Sequence, residues 1–106
     1  MTKTSDYERM ASVLSSQEMA RITEGQAASH TENYMIDLHG LKRKEAKRFL
    51  NNIVNLTTKT TELHVIHGYN HGTVLKDMIR EELSNPKIRE VRPSFFNLGE
   101  TILKVA

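Results

Sequence analysis

The spacing of apolar residues predicts an alternation of strands and helices from residue 34 onward. The segment Tyr34–His39 is rich in residues that favour β-structure and is followed by Gly40, which indicates a short strand. Between Lys42 and Leu56, apolar residues recur every three or four positions, as on a helix with one buried face. A second strand is predicted at Leu63–Ile66.

The pattern then predicts another helix and two more strands. Apolar residues return at helical spacing just after Thr73 and stop before Pro86, and short strands are predicted at Ile88–Arg92 and Thr101–Val105. The order of the elements is β-α-β-α-β-β. A strand–helix–strand unit favours a right-handed crossover, so we expect the first two strands to be parallel, with their carboxyl ends at the same edge of the sheet.

The first 33 residues have a weaker pattern and are expected to form a partly helical extension. Ser15 and Glu18 have the spacing of a capping box and predict a short helix that ends at Gly25. A preceding helix is predicted at Tyr7–Leu14, and residues 26–33 have the composition of a linker. We therefore divide the chain into residues 1–33 and a domain at residues 34–106. The sequence leaves open whether the extension packs on that domain.

Composition and charge limit the class of protein. The chain has 106 residues, 38% hydrophobic and 26% charged, which fits one globular domain. It has no apolar run that suits a membrane span or a signal peptide, so we expect a cytoplasmic protein with no membrane partner. The absence of cysteine excludes disulfides and thiolate metal sites.

The positive charge is concentrated after the extension. Residues 1–33 carry a net charge of −2, whereas residues 34–106 carry +4. Five basic residues fall within seven positions: Lys42, Arg43, Lys44, Lys47 and Arg48. Such a run suits an anionic partner such as nucleic acid, and it equally suits the solvated face of a helix.

Three of the five histidines lie within eight residues, at His64, His67 and His71. On a helix these side chains could share a face and bind a metal ion. Along a strand side chains alternate, so His64 and His67 should point to opposite faces. We therefore do not expect a preformed three-histidine zinc site, and we expect His64 to be a partly exposed strand residue.

The turn after the second strand is a candidate phosphate-binding site. Gly68 and Gly72 would let the backbone approach an anion, and the first amides of the helix that begins near Thr73 have no partner within it. Two glycines in such a turn are also common for steric reasons alone.

Asp37 and His39 lie two residues apart at the end of the first strand and should project from one face, beside that turn. The carboxylate could orient the imidazole as an acid or base, or the two side chains could hold a hydrated divalent cation such as magnesium. A structural role, in which Asp37 caps a backbone group, fits the spacing equally well. No organic cofactor is expected.

Two motifs resemble those of the Smr (small MutS-related) domain family. Ile36-Asp37-Leu38-His39-Gly40 is similar to the family's LDLHG motif, and His67-Gly68-Tyr69-Asn70-His71-Gly72 is similar to its HGxGxG motif. The resemblance extends over about residues 34–105. It implies a two-layer α/β sandwich with a four-stranded mixed sheet, like the C-terminal domain of translation initiation factor three. It also implies binding of DNA or RNA and, as in several members, endonuclease activity.

Asp37, His39, His67, Gly68 and Gly72 match positions of the family's motifs, and the charge and turn arguments add their neighbours to the expected site. Asp37, His39 and His67 are the expected catalytic residues, and Tyr69 or His71 would stack on a base. The expected nucleic-acid-binding residues are Lys42, Arg43, Lys44, Gly68, Tyr69, Asn70, His71, Gly72 and Thr73. Asn70 replaces the middle glycine of the second motif, so a side chain stands where the backbone should meet phosphate. This departure bears on catalysis more than on fold.

Two other functions stay open at this point. In the first, the same surface binds nucleic acid without cleaving it. In the second, the protein is an interaction module whose N-terminal helices pair with a partner or a second copy.

Overall fold

A five-stranded sheet forms the centre of the fold in a computed structural model that describes residues 5–68 and 73–106. The strands are β1 (Ile22–Glu24), β2 (Glu32–Asp37), β3 (Thr61–Ile66), β4 (Ile88–Pro93) and β5 (Glu100–Val105). Their spatial order is β1-β2-β3-β5-β4. Strands β2 and β3 are parallel, which confirms the sequence prediction, and the other neighbouring pairs are antiparallel.

In the described part of the chain, four α-helices accompany the sheet: α1 (Asp6–Val13), α2 (Ser16–Met19), α3 (Arg43–Leu56) and α4 (Val74–Asp77). The apolar face predicted for α3 is buried and consists of Ala46, Phe49, Leu50, Ile53 and Val54. The helix predicted after Thr73 is also present, but only its first turn is α-helical. It continues as a π-helical segment, Met78–Glu82, which is a wider and less common hydrogen-bonding pattern.

The prediction of four strands is wrong, because a short strand precedes the ones that the sequence pattern indicated. The helix predicted to end at Gly25 ends at Met19, and β1 follows it at the edge of the sheet. Ile22 pairs with Ile36 of β2 and is 4% exposed. Ile22 and Thr23 are β-branched, so extended backbone suits them, and the pairing buries one apolar side chain.

The N-terminal helices pack on the rest of the chain. Met10 is fully buried in the main core, and the ring of Tyr7 stacks on Tyr34 with their centroids 6.5 Å apart. The buried carboxylate of Asp6 accepts hydrogen bonds from the backbone N–H of Thr58 at 2.9 Å and from its hydroxyl at 2.6 Å. The N-terminal extension therefore packs on the domain, a point that the sequence left open. The domain boundary at residue 34 stays a prediction.

Alternate residues of the central strands point into one core. Together with the apolar face of α3, that core contains Tyr34, Ile36, Leu63, Val65, Leu103 and Val105. The other face of the sheet is largely polar and carries Asn33, Glu62, His64, Arg92 and Glu100. This alternation is typical of a sheet that is covered on one side. Likeness to the initiation-factor domain stays a prediction.

One edge of the sheet brings the candidate residues together. Asp37 ends β2 next to Ile66, which ends β3, and Ile66 is paired in turn with Glu100 at the start of β5. The loop from β4 to β5, residues 94–99, lies at the same end of the strands. We refer to this end of the sheet as the site edge. Within the described residues, no helix is long and apolar enough to cross a membrane.

Candidate active site

Asp37 and His39 form a hydrogen-bonded pair at the site edge. Nδ1 of His39 lies 2.8 Å from both carboxylate oxygens of Asp37, and the backbone N–H of His39 donates to Oδ1 at 3.0 Å. A carboxylate only accepts, so the proton lies on Nδ1, and Nε2 is the nitrogen that can meet a ligand. The His39 side chain is 79% exposed, which leaves that nitrogen accessible.

Opposing effects act on the Asp37 carboxyl group. Partial burial raises its pKa, but the hydrogen bonds from the backbone and ring of His39, with the positive charges of His39 and Arg21, outweigh the burial. The net result is a pKa below the ordinary value for aspartate. Asp37 therefore stays ionised at neutral pH, where it can fix the imidazole and stabilise it when protonated.

Arg21 holds the backbone on which this pair lies. Its Nη1 donates to the carbonyl oxygen of Asp37 at 3.0 Å and to that of His39 at 2.8 Å. The backbone N–H of Asp37 donates in return to the carbonyl of Arg21 at 2.9 Å. Arg21 was not predicted from the sequence, because its partners are backbone atoms. The only signal was the β-branched Ile22-Thr23 pair, which places Arg21 at the entrance of a strand.

A short turn connects the pair to the basic start of α3. Gly40 has φ of 81°, a conformation that glycine adopts without strain, and the N–H of Leu41 donates to the carbonyl of Leu38 at 3.1 Å. The side chains of Lys42 and Lys44 are exposed just beyond it. Arg43 forms an ion pair with Glu82, so its charge is already engaged within the protein.

A cleft of about 710 Å³ lies beside Asp37 and His39, within the size range of small-ligand sites. One wall comes from the N-terminal segment and the other from α3. Its lining consists of Ser15, Gln17, Glu18, Ala20, Arg21, Asp37, His39, Leu41, Glu45, Arg48 and Phe49. The accessible imidazole is thus at the margin of a concave surface that the N-terminal extension helps to build.

His67 is buried directly after β3, with 8% of its surface exposed. Its Nδ1 lies 2.8 Å from the carbonyl oxygen of Gly68, which can only accept, so Nδ1 carries the proton. Nε2 then accepts from the hydroxyl of Thr101 at 2.9 Å. The Thr101 oxygen accepts in turn from Nε and Nη2 of Arg80 at 3.3 and 3.2 Å.

Burial and nearby positive charge favour the neutral form of His67. Burial lowers its pKa, the carbonyl of Gly68 acts in the opposite direction, and the charges of Arg80 and Lys76 lower the pKa further. Both ring nitrogens are occupied inside the protein, which favours a positioning role at the end of β3. A direct catalytic role for His67 stays a prediction.

The glycine-rich turn is attached to the loop between β4 and β5. The N–H groups of His67 and Gly68 both donate to the carbonyl of Gly99, at 2.8 and 3.0 Å. Gly68 has φ of 78°, and a Cβ placed on Gly99 would lie 3.1 Å from the Gly68 Cα. The backbone conformation at Gly68 and the close approach at Gly99 therefore both favour glycine.

The other predicted residues of the turn are only partly described. Tyr69, Asn70, His71 and Gly72 lie outside the described residues. The exposed Thr73 donates from its hydroxyl to Asp77 Oδ2 at 2.8 Å. A contact between phosphate and the Thr73 amide stays a prediction.

His64 and His67 point to opposite faces of the sheet, as strand geometry predicted. His64 is partly exposed, and its Nδ1 lies 3.0 Å from Glu100 Oε2, whereas His67 contacts Thr101. Across residues 5–68 and 73–106, no three His, Asp or Glu side chains are grouped to hold a metal ion. Magnesium prefers carboxylate oxygens and water, and both Asp37 oxygens are bonded to His39. Each of these oxygens still has a lone pair to offer, so a hydrated divalent cation held at Asp37 stays a prediction.

Comparison with known proteins identifies the family. The model of the Smr domain matches residues 36–100, which is more than half of the chain and includes Asp37, His39 and His67. No curated protein and no solved structure matches the chain. Arg21 and the N-terminal wall of the cleft lie outside the matched segment. The chain belongs to the Smr domain family.

Proposed function

We propose that this protein binds nucleic acid across the site edge and cleaves its phosphodiester backbone, with His39 as the acid–base catalyst. The Smr domain family is known for nucleic-acid binding and nuclease roles. The observation that carries the proposal is the pair itself: an exposed imidazole whose Nδ1 is fixed by an ionised carboxylate 2.8 Å away. Carboxylate–imidazole pairs of this kind serve in proton transfer near neutral pH.

The proposed reaction is hydrolysis. Nε2 of His39 takes a proton from the attacking water as its oxygen bonds to phosphorus, and Asp37 stabilises the imidazolium that forms. The bond from phosphorus to the leaving oxygen breaks, and that oxygen gains a proton from the imidazolium or from solvent. Asp37 keeps its negative charge throughout.

Exposed lysines support phosphate binding beside the pair. Lys42 and Lys44 stand at the beginning of α3, three and five residues after His39, and both are exposed. The segment they belong to carries the positive part of the chain's charge, +4 over residues 34–106. Arg43 contributes less, because its guanidinium is paired with Glu82.

Cleavage of plasmid DNA and of structured RNA tests the proposal, with His39→Ala and Asp37→Asn compared with the unaltered protein. Loss of a positioned acid–base group lowers a rate by roughly 10²- to 10⁴-fold, and we expect His39→Ala to show such a loss. His64→Gln is the matched control, because His64 also contacts a carboxylate but on the polar face of the sheet. Cleavage that is undiminished in both site variants refutes the proposed roles.

Binding without cleavage is the second candidate function. It is favoured by Asn70, which stands at the glycine of the family motif. Binding that weakens steeply with salt, without cleavage of DNA or RNA, would select it. The interaction-module alternative has less support, because Met10 and Tyr7 of α1 pack within the chain itself.

A further inference from the structure

The loop between β4 and β5 presents apolar side chains to solvent. Phe95 is 93% exposed, Phe96 is 99% exposed and Leu98 is 79% exposed. Single exposed apolar residues are ordinary, but three within four consecutive positions concentrate exposed apolar surface in one loop. Such patches mark binding surfaces, and we refer to these three residues as the phenylalanine loop.

The backbone of the phenylalanine loop is held in a defined conformation. The N–H of Gly99 donates to the side chain of Asn97 at 2.8 Å, and the N–H of Glu100 donates to the Asn97 carbonyl at 3.2 Å. The carbonyl of Gly99 accepts from both His67 and Gly68. The exposed rings therefore project from a loop that is held by hydrogen bonds within itself and to His67 and Gly68.

The phenylalanine loop lies at the site edge, in reach of the same ligand as His39. Glu100 begins β5 opposite Ile66 of β3, and Ile66 is opposite Asp37 of β2. Neighbouring strands are about 4.8 Å apart, so the start of β5 is roughly 10 Å from the end of β2. A chain bound at His39 can continue across β3 to the aromatic rings.

Positive charge accompanies the exposed rings. A cleft of about 330 Å³ next to the loop is lined by Leu98, by two cations, Lys76 and Arg80, and by one carboxylate, that of Glu100. Aromatic rings beside cations are the combination with which proteins bind single-stranded nucleic acid, because bases stack on the rings while phosphates meet the charges. Two cations and one carboxylate leave the cleft with net positive charge, which suits a phosphate better than a purely apolar partner.

We propose that Phe95 and Phe96 form a stacking platform for unpaired nucleobases, so that the preferred ligand is a single-stranded segment adjoining the phosphate at His39. This inference rests on the proposed function and names its substrate class. Duplex bases are already stacked on each other and present only their edges, whereas an unpaired base has a free face for a phenyl ring. Lys76 and Arg80 hold the backbone of the same strand.

A tryptophan probe tests the stacking directly. The chain has no tryptophan, so Phe96→Trp introduces a single indole whose fluorescence is quenched when a base stacks on it. The variant is titrated with a single-stranded oligonucleotide of about ten nucleotides and with a duplex of equal length. Binding is followed in parallel by the anisotropy of a labelled oligonucleotide. We expect strong quenching by the single strand and little by the duplex.

Thr60→Trp is the matched control. Thr60 is exposed and precedes β3 at the opposite end of the sheet, about 20 Å from Ile66 given the rise of a six-residue strand. Its fluorescence should not respond to the oligonucleotide.

Substitutions separate aromatic stacking from general hydrophobic contact. Phe95→Ala with Phe96→Ala should weaken single-strand binding roughly five-fold or more, and Phe96→Tyr should retain the affinity. Phe96→Leu keeps an apolar side chain without the ring, so unchanged affinity in this variant overturns the stacking platform. All of these side chains are exposed, so circular dichroism should be unaltered.

The remaining outcomes distinguish this inference from the function on which it rests. Anisotropy that reports binding without any quenching overturns the platform and leaves nucleic-acid binding intact. Failure of every oligonucleotide to bind removes both proposals. Self-association that disappears in the double alanine variant would assign the patch to a second copy of the chain and overturn the inference.

Discussion

The guanidinium of Arg21 donates a hydrogen bond to the carbonyl oxygen of His39 at 2.8 Å. The same nitrogen bonds the carbonyl of Asp37, so one side chain spans the backbone of the candidate pair. Arg21 comes from the N-terminal extension, before the segment that matches the Smr domain. The extension therefore positions the pair as well as packing on the core.

Replacing Arg21 with alanine should lower cleavage about ten-fold with little effect on oligonucleotide binding. The lost hydrogen bonds let the strand end move, and small misplacements of a reacting group cost rate rather than ground-state affinity. Arg21→Lys should restore only part of the rate, because an ammonium does not reproduce the planar geometry of a guanidinium. Single-turnover cleavage and anisotropy measure the two effects separately.

Arg9→Ala is the matched control for Arg21. Arg9 also donates to a backbone carbonyl, that of Leu56 at 3.3 Å, but lies on α1 rather than at the pair. It should reduce the free energy of unfolding by about 1 kcal/mol and leave the cleavage rate unchanged. Equal loss of cleavage in both variants would mean that Arg21 acts through stability alone.

The contribution of Asp37 to stability should disappear in acid. Its pKa is lower in the folded chain than in the unfolded chain, so acidification protonates the unfolded state first. The stabilisation is fully present above about pH 4, the ordinary range for aspartate, and is lost as pH falls through the folded value. The carboxylate is 44% exposed, so solvent screening limits the effect to about 1 kcal/mol or less.

Urea unfolding of the unaltered protein and Asp37→Asn, at about pH 7 and about pH 3, measures this effect. The difference in unfolding free energy between the two proteins should shrink at the lower pH. A difference that is the same at both values contradicts the assignment of a lowered pKa to Asp37.

His67 should make the free energy of unfolding depend on pH over a higher pH range than Asp37 does. Its pKa is lowered in the folded chain, so below about pH 6.5 the unfolded state takes up a proton that the buried ring does not. Stability is therefore complete above that pH and falls on acidification towards the folded value, with a slope of at most about 1.4 kcal/mol per pH unit. His67→Gln removes the titrating group and should flatten this part of the profile.

His64→Gln provides the comparison for the His67 profile. It changes a partly exposed histidine on the polar face and leaves the bonds from His67 to Thr101 and Gly68 in place. The slope of unfolding free energy against pH that is due to His67 should persist in the His64→Gln variant. A slope that vanishes in His64→Gln and survives in His67→Gln would reverse the assignment.

Sequence periodicity predicted the parts of the fold that have one clear buried face. The apolar residues of α3 repeat over fourteen positions, and β2 and β3 each extend over six, which is long enough to show a period. Strand β1 has three residues, too few to show alternation, and is specified by pairing with β2. The π-helical segment likewise depends on tertiary packing, which a count of apolar spacing does not contain.

The candidate site also has parts that the sequence predicted and parts that it did not. Two-residue spacing on a strand predicted that Asp37 and His39 lie side by side, and they do, but β2 ends at Asp37 and His39 lies in the turn that follows. The bond from the His39 backbone N–H to the Asp37 carboxylate is the capping role that the spacing also allowed. Arg21 was missed because its contacts are with carbonyl groups, which every residue has. The exposure of Phe95 and Phe96 was missed because their sequence gives no sign of whether a loop folds over its aromatic residues or presents them.

The exposed Lys42 and Lys44 should account for a measurable share of the salt dependence of nucleic-acid binding. If Lys42 and Lys44 each contact one phosphate, replacing both with alanine should reduce the slope of log affinity against log salt by about 1.5. Arg43→Ala should change the slope less, because Arg43 is already paired with Glu82. Lys59→Ala is the control, since Lys59 precedes β3 at the opposite end of the sheet. Affinity is measured by anisotropy at several salt concentrations. A local phosphate contact makes the effect of a lysine depend on its position. If Lys59→Ala changes the slope as much as loss of one of the two site lysines, the slope reflects the overall charge of the protein instead.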